Sequence, residues 1–240
     1  MKLDILVLAS HPDDAELSCA GTIAKYTRSG KKVAVIDLTQ GELGTRGSAA
    51  IRQEEAAASA KILGLAFREN MGFPDGFFEN SRANQLALIR KLRQYRPDIL
   101  LANAPHDRHP DHGRGGQLAY DSWFLSGLRK IETESEGERQ EAWRPGLFLH
   151  YIQDRLQKPD ILVDISDEIH IKEAAIRAFG SQFHNPDHKS DEPETYISKS
   201  SFLNAILGRS AEWGKVLGVA HAEGFLSPRL LGVNDLYSLL

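Results

Sequence analysis

Cysteine is almost absent. A single residue, Cys19, in 240 excludes an internal disulfide and a cysteine-built structural zinc site. Long apolar runs are missing too: none approaches the roughly 18 residues of a transmembrane helix. The opening stretch has one lysine followed by Leu3-Asp4-Ile5-Leu6-Val7-Leu8-Ala9, too short and too acidic for a secretory signal. The expectation is a reduced, cytoplasmic protein without a membrane partner. Positive charge is not in excess. Lys and Arg number 29 against 33 Asp and Glu, a formal net charge of −4 with histidine neutral, which argues against nucleic-acid binding through bulk charge. Internal repeats, low-complexity tracts and a clear linker are also lacking, so residues 1–240 are expected to form one domain. What is present is ordinary for a globular chain: 41% hydrophobic and 26% charged residues. A chain of this length buries roughly 70% of its unfolded surface without staples.

Apolar runs and helical periods alternate over the first two thirds. Ile5–Ala9 is continuously apolar, as a parallel strand buried on both faces should be. Residues 15–29 carry Leu17, Ala20, Ile23, Ala24 and Tyr26 at helical spacing, closed by Gly30. A strand is expected at 33–38, then a glycine-rich loop and an alanine-rich helix over 49–63 closed by Gly64. A weaker strand is read at 67–71, a helix at 81–95 stopped by Arg96-Pro97, and a buried strand at 99–102. Further on, 132–141 reads as an exposed loop, 147–152 and 161–165 as strands, and 167–179 and 200–214 as helices. The stretch 185–193 reads as a mobile loop. The fold class is therefore α/β: a Rossmann-like, mostly parallel sheet flanked by helices, with a less regular C-terminal part completing the site.

The nine histidines are unevenly placed. Ser10-His11-Pro12-Asp13-Asp14 follows the first expected strand, and His106-Asp107-Arg108-His109-Pro110-Asp111-His112 follows the fourth. Doubly wound sheets bind ligands outside the carboxyl ends of their strands, where the strand order reverses, and strands 1 and 4 are neighbours there in the commonest order. Two segments rich in imidazole and carboxylate would meet over one crevice. A catalytic zinc takes three ligands from His, Asp, Glu and Cys and keeps a place for water. His11 and Asp14 can reach one ion across a strand-to-helix turn, and either His109 or His112 completes the set; spacing does not choose between them. Asp13 is then a spare carboxylate where a general base belongs. Taken singly, Asp13 or Asp14 would read as a helix cap and His109–His112 as an exposed turn. Their joint position after buried strands favours a metal site. The ion expected is Zn²⁺, with Fe²⁺ the alternative for such donors.

The loop Gly41-Glu42-Leu43-Gly44-Thr45-Arg46-Gly47 lacks both the dinucleotide and the P-loop spacing. It reads as a flexible rim. Arg52 opens the next helix and either reaches the crevice or pairs with Glu55 on the surface. Cys19 reads as packed and inert.

At these residues the sequence resembles the PIG-L family of zinc-dependent N-acetylglucosamine deacetylases, and within it the bacillithiol-biosynthesis deacetylases. The matching pieces are Ser10-His11-Pro12-Asp13-Asp14-Ala15-Glu16, residues 37–47, residues 51–56, Phe73-Pro74-Asp75-Gly76-Phe77-Phe78, Arg108-His109-Pro110-Asp111-His112, Ser181-Gln182-Phe183 and residues 218–225. The resemblance implies that His11, Asp14 and His112 bind the metal and that Asp13 is the general base. It implies that His109, paired with Asp111, is a charged imidazole assisting the tetrahedral intermediate or the leaving amine. Arg52 and Arg144 align with arginines of the substrate pocket. Relatives carry a mobile tyrosine before the last helix; Phe202 aligns there, and Tyr196 lies six residues earlier. The implied partner is a small N-acetylated sugar conjugate, N-acetylglucosaminyl-malate, with diacetylchitobiose or a thiol conjugate as alternatives. A trimeric or hexameric homo-oligomer is implied by the same resemblance.

Overall fold

The computed structural model describes residues 1–184 and 192–239. Of the stretch expected as a mobile loop, 185–191 lies outside the described residues. The first half runs β1 (Ile5–Ala9), α1 (Asp14–Arg28), β2 (Val33–Thr39), α2 (Ala49–Leu63), β3 (Phe67–Phe73), α3 (Arg82–Tyr95), β4 (Ile99–Asn103) and α4 (Pro110–Ser126). It continues with β5 (Glu134–Ser135), β6 (Glu138–Arg139), β7 (Leu147–Tyr151), β8 (Ile161–Asp164), α5 (Ile169–Arg177), α6 (Ser200–Leu217) and β9 (Ala222–Leu226). No helix among the described residues is long and apolar enough to cross a membrane.

The main sheet has seven strands in the order β3-β2-β1-β4-β7-β9-β8. β1 pairs in parallel with both β2 and β4, so the strand order reverses between β1 and β4, as the sequence predicts. The unbroken apolar run of β1 has its physical reason in two buried faces. Ile5, Val7 and Ala9 pack with Ala20, Ile23 and Ala24 of α1, whereas Leu6 and Leu8 join Leu88 and Leu92 of α3 and Leu118 of α4. A third cluster gathers Leu17, Ala56 and Ile176 with Phe202, Leu203 and Ile206 of α6. Serines cap two of the helices: Ser48 accepts from the Ile51 N–H and Ser81 from the Asn84 N–H.

β9 is not legible as a strand in the sequence. It enters antiparallel between β7 and β8, and its Glu223-Gly224 pair breaks the apolar run expected of a central strand. The expected exposed loop at 132–141 contains a small antiparallel ribbon, β5 with β6, turning through Glu136 and Gly137, both at positive φ. α5 is shorter than the expected 167–179, and α6 runs beyond 214 to Leu217, where Gly218 closes it at φ 80°.

The topology brings the ends of β1 and β4 together, and α4 must start hard against them. A Cβ at Gly116 would overlap the Asn103 carbonyl oxygen, so a glycine is required for that approach. Ser10 completes the join. Its N–H and Oγ both donate to Asn103 Oδ1, at 2.9 and 3.0 Å, and its Oγ lies 2.9 Å from the Asp111 carbonyl.

Candidate active site

The carboxyl ends of β1 and β4 open into a cleft of about 330 Å³, lined among others by His11, Asp13, Asp14, Arg52, His109 and His112. The chain leaves β1, turns at His11-Pro12 and starts α1 at Asp14. Asp13 stands at the turn with φ 125°, a region that costs a non-glycine residue roughly 1–3 kcal/mol. Neither aspartate caps α1 in the ordinary way. Asp13 makes no side-chain capping bond; its Oδ2 is 2.6 Å from Arg52 Nη2. Asp14 Oδ2 accepts from the His11 N–H and from Asn103 Nδ2, each at 3.0 Å, and its Oδ1 accepts from Gln153 Nε2 at 2.6 Å.

Both carboxylates are buried, with opposite results. Burial, resisted by Arg52 and reinforced by Asp14, raises Asp13 to about 7. Burial would raise Asp14 as well, but the His112 and His11 imidazoles hold it well below the usual carboxylate range. Asp14 is thus the fixed negative charge of the site, and Asp13 is poised to exchange a proton near neutrality.

The imidazoles are oriented from behind. His11 Nε2 is 3.0 Å from Asp75 Oδ1 and 3.2 Å from Asp111 Oδ2, leaving Nδ1 to face Asp14 Oδ2 at 3.7 Å. His112 Nδ1 is 2.9 Å from Asp107 Oδ2, leaving Nε2 at 3.2 Å from Asp14 Oδ1. Burial opposes the charge on both rings, but their carboxylate partners prevail, raising His11 to about 10 and His112 to about 9. Carboxylate-backed imidazoles converging on a buried carboxylate also describe a divalent-metal site. Among the described residues, two sets bring one donor atom per residue within 4.8 Å of one another, His11–His109–His112 and His11–Asp75–Asp111, while Asp14 faces the His11 and His112 rings through different oxygens.

The family model described as PIG-L, GlcNAc-PI de-N-acetylase, matches residues 6–123, the span holding all of these side chains except Gln153. The chain is 31% identical over 234 residues to the diacetylchitobiose deacetylase of Thermococcus kodakarensis, covering 92% of this chain and 81% of that one. This chain belongs to the PIG-L family. It is 27% identical over 192 residues to a probable N-acetyl-alpha-D-glucosaminyl L-malate deacetylase 2 of Bacillus anthracis, covering 75% and 81%. Among solved structures, the conserved protein TT1542 from Thermus thermophilus superposes with a TM-score of 0.85 at 38% identity, over 97% of this chain and 98% of that one. As a PIG-L deacetylase the chain is a hydrolase acting on an amide.

Within this PIG-L deacetylase, seven of the eight expected site residues gather at the β1–β4 crevice. Arg144 does not. It lies at the far end of α4, where Nη2 donates to the Phe124 carbonyl and the guanidinium sits 4.4 Å from the Phe124 ring centroid. The 17 residues of α4 put about 25 Å between that end and the cleft, and stacking on Trp123 and Phe124 holds the side chain there. Arg144 is thus not a pocket residue of this chain.

The expected pairing of His109 with Asp111 also needs correction. The Asp111 carboxylate, fully buried, serves His11 Nε2, the Gly76 N–H at 2.8 Å and Arg114 Nη1 at 2.5 Å. The hydrogen bond between His109 and Asp111 runs through the backbone: His109 Nδ1 accepts the Asp111 N–H at 3.2 Å and caps α4. A ring nitrogen that accepts carries no proton. Burial, with the His11 and His112 charges, pushes His109 below its ordinary value. The Asp111 N–H at Nδ1 and the lowered proton affinity both favour the neutral ring over the imidazolium that the resemblance implies.

Arg52 is in the crevice, 5% exposed, bonded to Asp13 and to the Pro12 carbonyl at 2.5 Å. Glu55, its alternative surface partner, instead accepts from the N–H and Oγ of Ser181. Phe202 is buried, whereas Tyr196, 55% exposed, stands at the cleft mouth with Arg108 4.7 Å from its ring centroid. Cys19 is buried, and burial pushes its thiol well above the ordinary value. Sequence reasoning missed Asp75, Asn103, Asp107 and Gln153. A usable signal exists for two of them: Asn103 and Gln153 are polar residues at or just past the ends of buried strands β4 and β7, where a doubly wound sheet presents its site.

Proposed function

We propose that this protein hydrolyses the N-acetyl group of an N-acetylglucosamine conjugate with an anionic aglycone, N-acetylglucosaminyl-malate, releasing acetate and the free amine. The observation that carries the chemistry is the juxtaposition of Asp13, a buried carboxylate raised to about 7, with the converging donors of His11, Asp14 and His112. Those three residues would hold the metal, which we assign as Zn²⁺, with Fe²⁺ the alternative for this donor set. When bound, the ion supplies Lewis-acid polarisation of the acetyl carbonyl and acidifies water.

The remaining work falls to side chains. Asp13 accepts a proton from the attacking water and returns it to the amine as the C–N bond breaks. Arg52, 2.6 Å away, fixes the Asp13 carboxylate. His109, with Nδ1 engaged by the Asp111 N–H, offers Nε2–H to the developing oxyanion, a role a neutral imidazole fills as a fixed dipole. Asp75, Asp111 and Asp107 hold the two metal-facing rings, and Asn103 and Gln153 hold Asp14.

Three arginines, Arg46, Arg52 and Arg108, line the cleft and support the anionic aglycone. The 31% identity to a diacetylchitobiose deacetylase favours a second reading, a neutral chitobiose substrate on the same centre. Acetate release measured on both compounds separates the two. The kcat/KM for the malate conjugate is expected to exceed that for diacetylchitobiose by at least about tenfold. The reverse preference overturns the malate assignment, and release from neither overturns the function.

A further inference from the structure

The cleft arginines differ in how they are held. Arg52 lies 2.6 Å from Asp13, and Arg108 Nε lies 2.6 Å from Asp154. Arg46, on the glycine-rich rim, faces Glu192, whose Oε2 stands 3.7 Å from its Nε, and that buried nitrogen has no hydrogen-bond partner among the described residues. The same glutamate places Oε1 2.9 Å from the Gly47 N–H. One carboxylate is therefore cradled by a backbone donor and an adjacent guanidinium, the donor pair that suits a carboxylate ligand.

The cradle is built rather than incidental. Gly47 has φ 71°, and a Cβ there would collide with Ser181 Cβ and Oγ, so glycine is required at this turn. Gln182 Nε2 donates to the Arg46 carbonyl at 2.7 Å and to Ser181 Oγ at 3.0 Å, pinning the loop to the buried 181–182 segment. The receptor is enclosed, with the Arg46 side chain 12% exposed, whereas the Glu192 side chain is 40% exposed. An enclosed cation with an unsatisfied N–H beside a solvated carboxylate is a site that an external carboxylate can take over.

We infer that Arg46 and the Gly47 N–H form a carboxylate subsite that selects substrates with an acidic aglycone, and that Glu192 occupies it as an intramolecular competitor. The inference rests on the reading of the substrate as a carboxylated sugar conjugate. Substrate carboxylate and Glu192 exclude one another, so removing the competitor strengthens binding and removing the receptor weakens it.

The test measures kcat/KM on N-acetylglucosaminyl-malate and on diacetylchitobiose for the wild type, Arg46→Gln and Glu192→Gln, with calorimetric binding of L-malate alone to each. Arg46→Gln is expected to lower the malate-to-chitobiose ratio of kcat/KM about 10- to 100-fold, the worth of one charge-assisted contact. Glu192→Gln is expected to raise that ratio and to tighten L-malate binding about threefold or more. An Arg46→Gln variant that lowers both substrates equally, or a Glu192→Gln variant that binds L-malate no better than wild type, overturns the subsite. Malate binding separates failure of the inference from failure of the functional reading. If the wild type hydrolyses neither conjugate, the function falls, and the order Glu192→Gln tighter than wild type tighter than Arg46→Gln still decides the subsite.

Discussion

Replacing Asp13 with asparagine lowers kcat for acetate release by about 10²- to 10⁴-fold, the contribution of a positioned general base, while KM stays within a few-fold. Asparagine matches the shape of aspartate and keeps an oxygen for Arg52, but its amide does not accept a proton from water near neutrality. The turn should survive: asparagine is among the residues that best tolerate positive φ, and Asp13 sits at φ 125°. Arg52 loses its charge partner in a buried place, yet keeps the Pro12 and Gly41 carbonyls. Leaving Arg52 unpaired costs about 1–3 kcal/mol, but removing a carboxylate whose ionisation burial resists offsets it near neutrality, so the denaturation midpoint should stay close to that of the wild type with an unchanged slope. Steady-state kinetics at saturating substrate, with denaturant unfolding of the same samples, checks both halves. A variant that turns over at the wild-type rate removes Asp13 from the chemistry.

Loss of Glu223 is expected to be among the most destabilising single changes. α1 is not continuous: Cys19 leaves helical geometry at φ −134° and ψ 20°, which frees backbone groups within a buried helix. Glu223, from β9, answers on one side, accepting from the Gly21 N–H at 2.9 Å and the Thr22 N–H at 2.7 Å. Lys172 answers on the other, donating to the Leu17 carbonyl at 3.0 Å and pairing with Glu223 Oε1 at 2.6 Å. Both side chains are 1% exposed. Breaking a buried pair by removing one partner costs about 3–5 kcal/mol. Glu223→Leu strands the Lys172 ammonium and both N–H groups, so it should stand at the top of that range. Lys172→Met leaves Glu223 with its two N–H donors and should cost less. Urea unfolding of the two variants tests the order; a Glu223→Leu loss below about 1 kcal/mol contradicts it. The consequence reaches the site, because the first turn of α1 carries Asp14 and follows directly from Asp13.

How much of the molecule is legible in its sequence varies with the physics of each element. The parallel half of the sheet is readable because β1, β2 and β4 are buried on both faces, and continuous apolar runs between helical periods suit little else than buried parallel strands. The crevice follows from topology, since strand order alone brings residues 10–14 to residues 106–112. β9 escapes because its glutamate is satisfied by a lysine 51 positions away, a pairing no local pattern carries. The carboxylates behind the histidines are only half visible. Asp107 and Asp111 lie in the histidine-rich segment, but which ring each supports depends on how α4 starts; Asp111 reads as the partner of His109 and turns instead to His11. Arg144 illustrates the opposite failure: resemblance gives it a role that the length of α4 denies within one chain.

The most direct test of the metal centre is the number of divalent ions bound per chain, followed as acetate release is measured during stepwise chelation and re-addition of Zn²⁺, for the wild type and His112→Ala. The expected result is one ion per chain, activity that falls and returns in proportion to occupancy, and His112→Ala lowering both together. Full turnover by a chain stripped of its metal, or wild-type metal content and activity in His112→Ala, would contradict it.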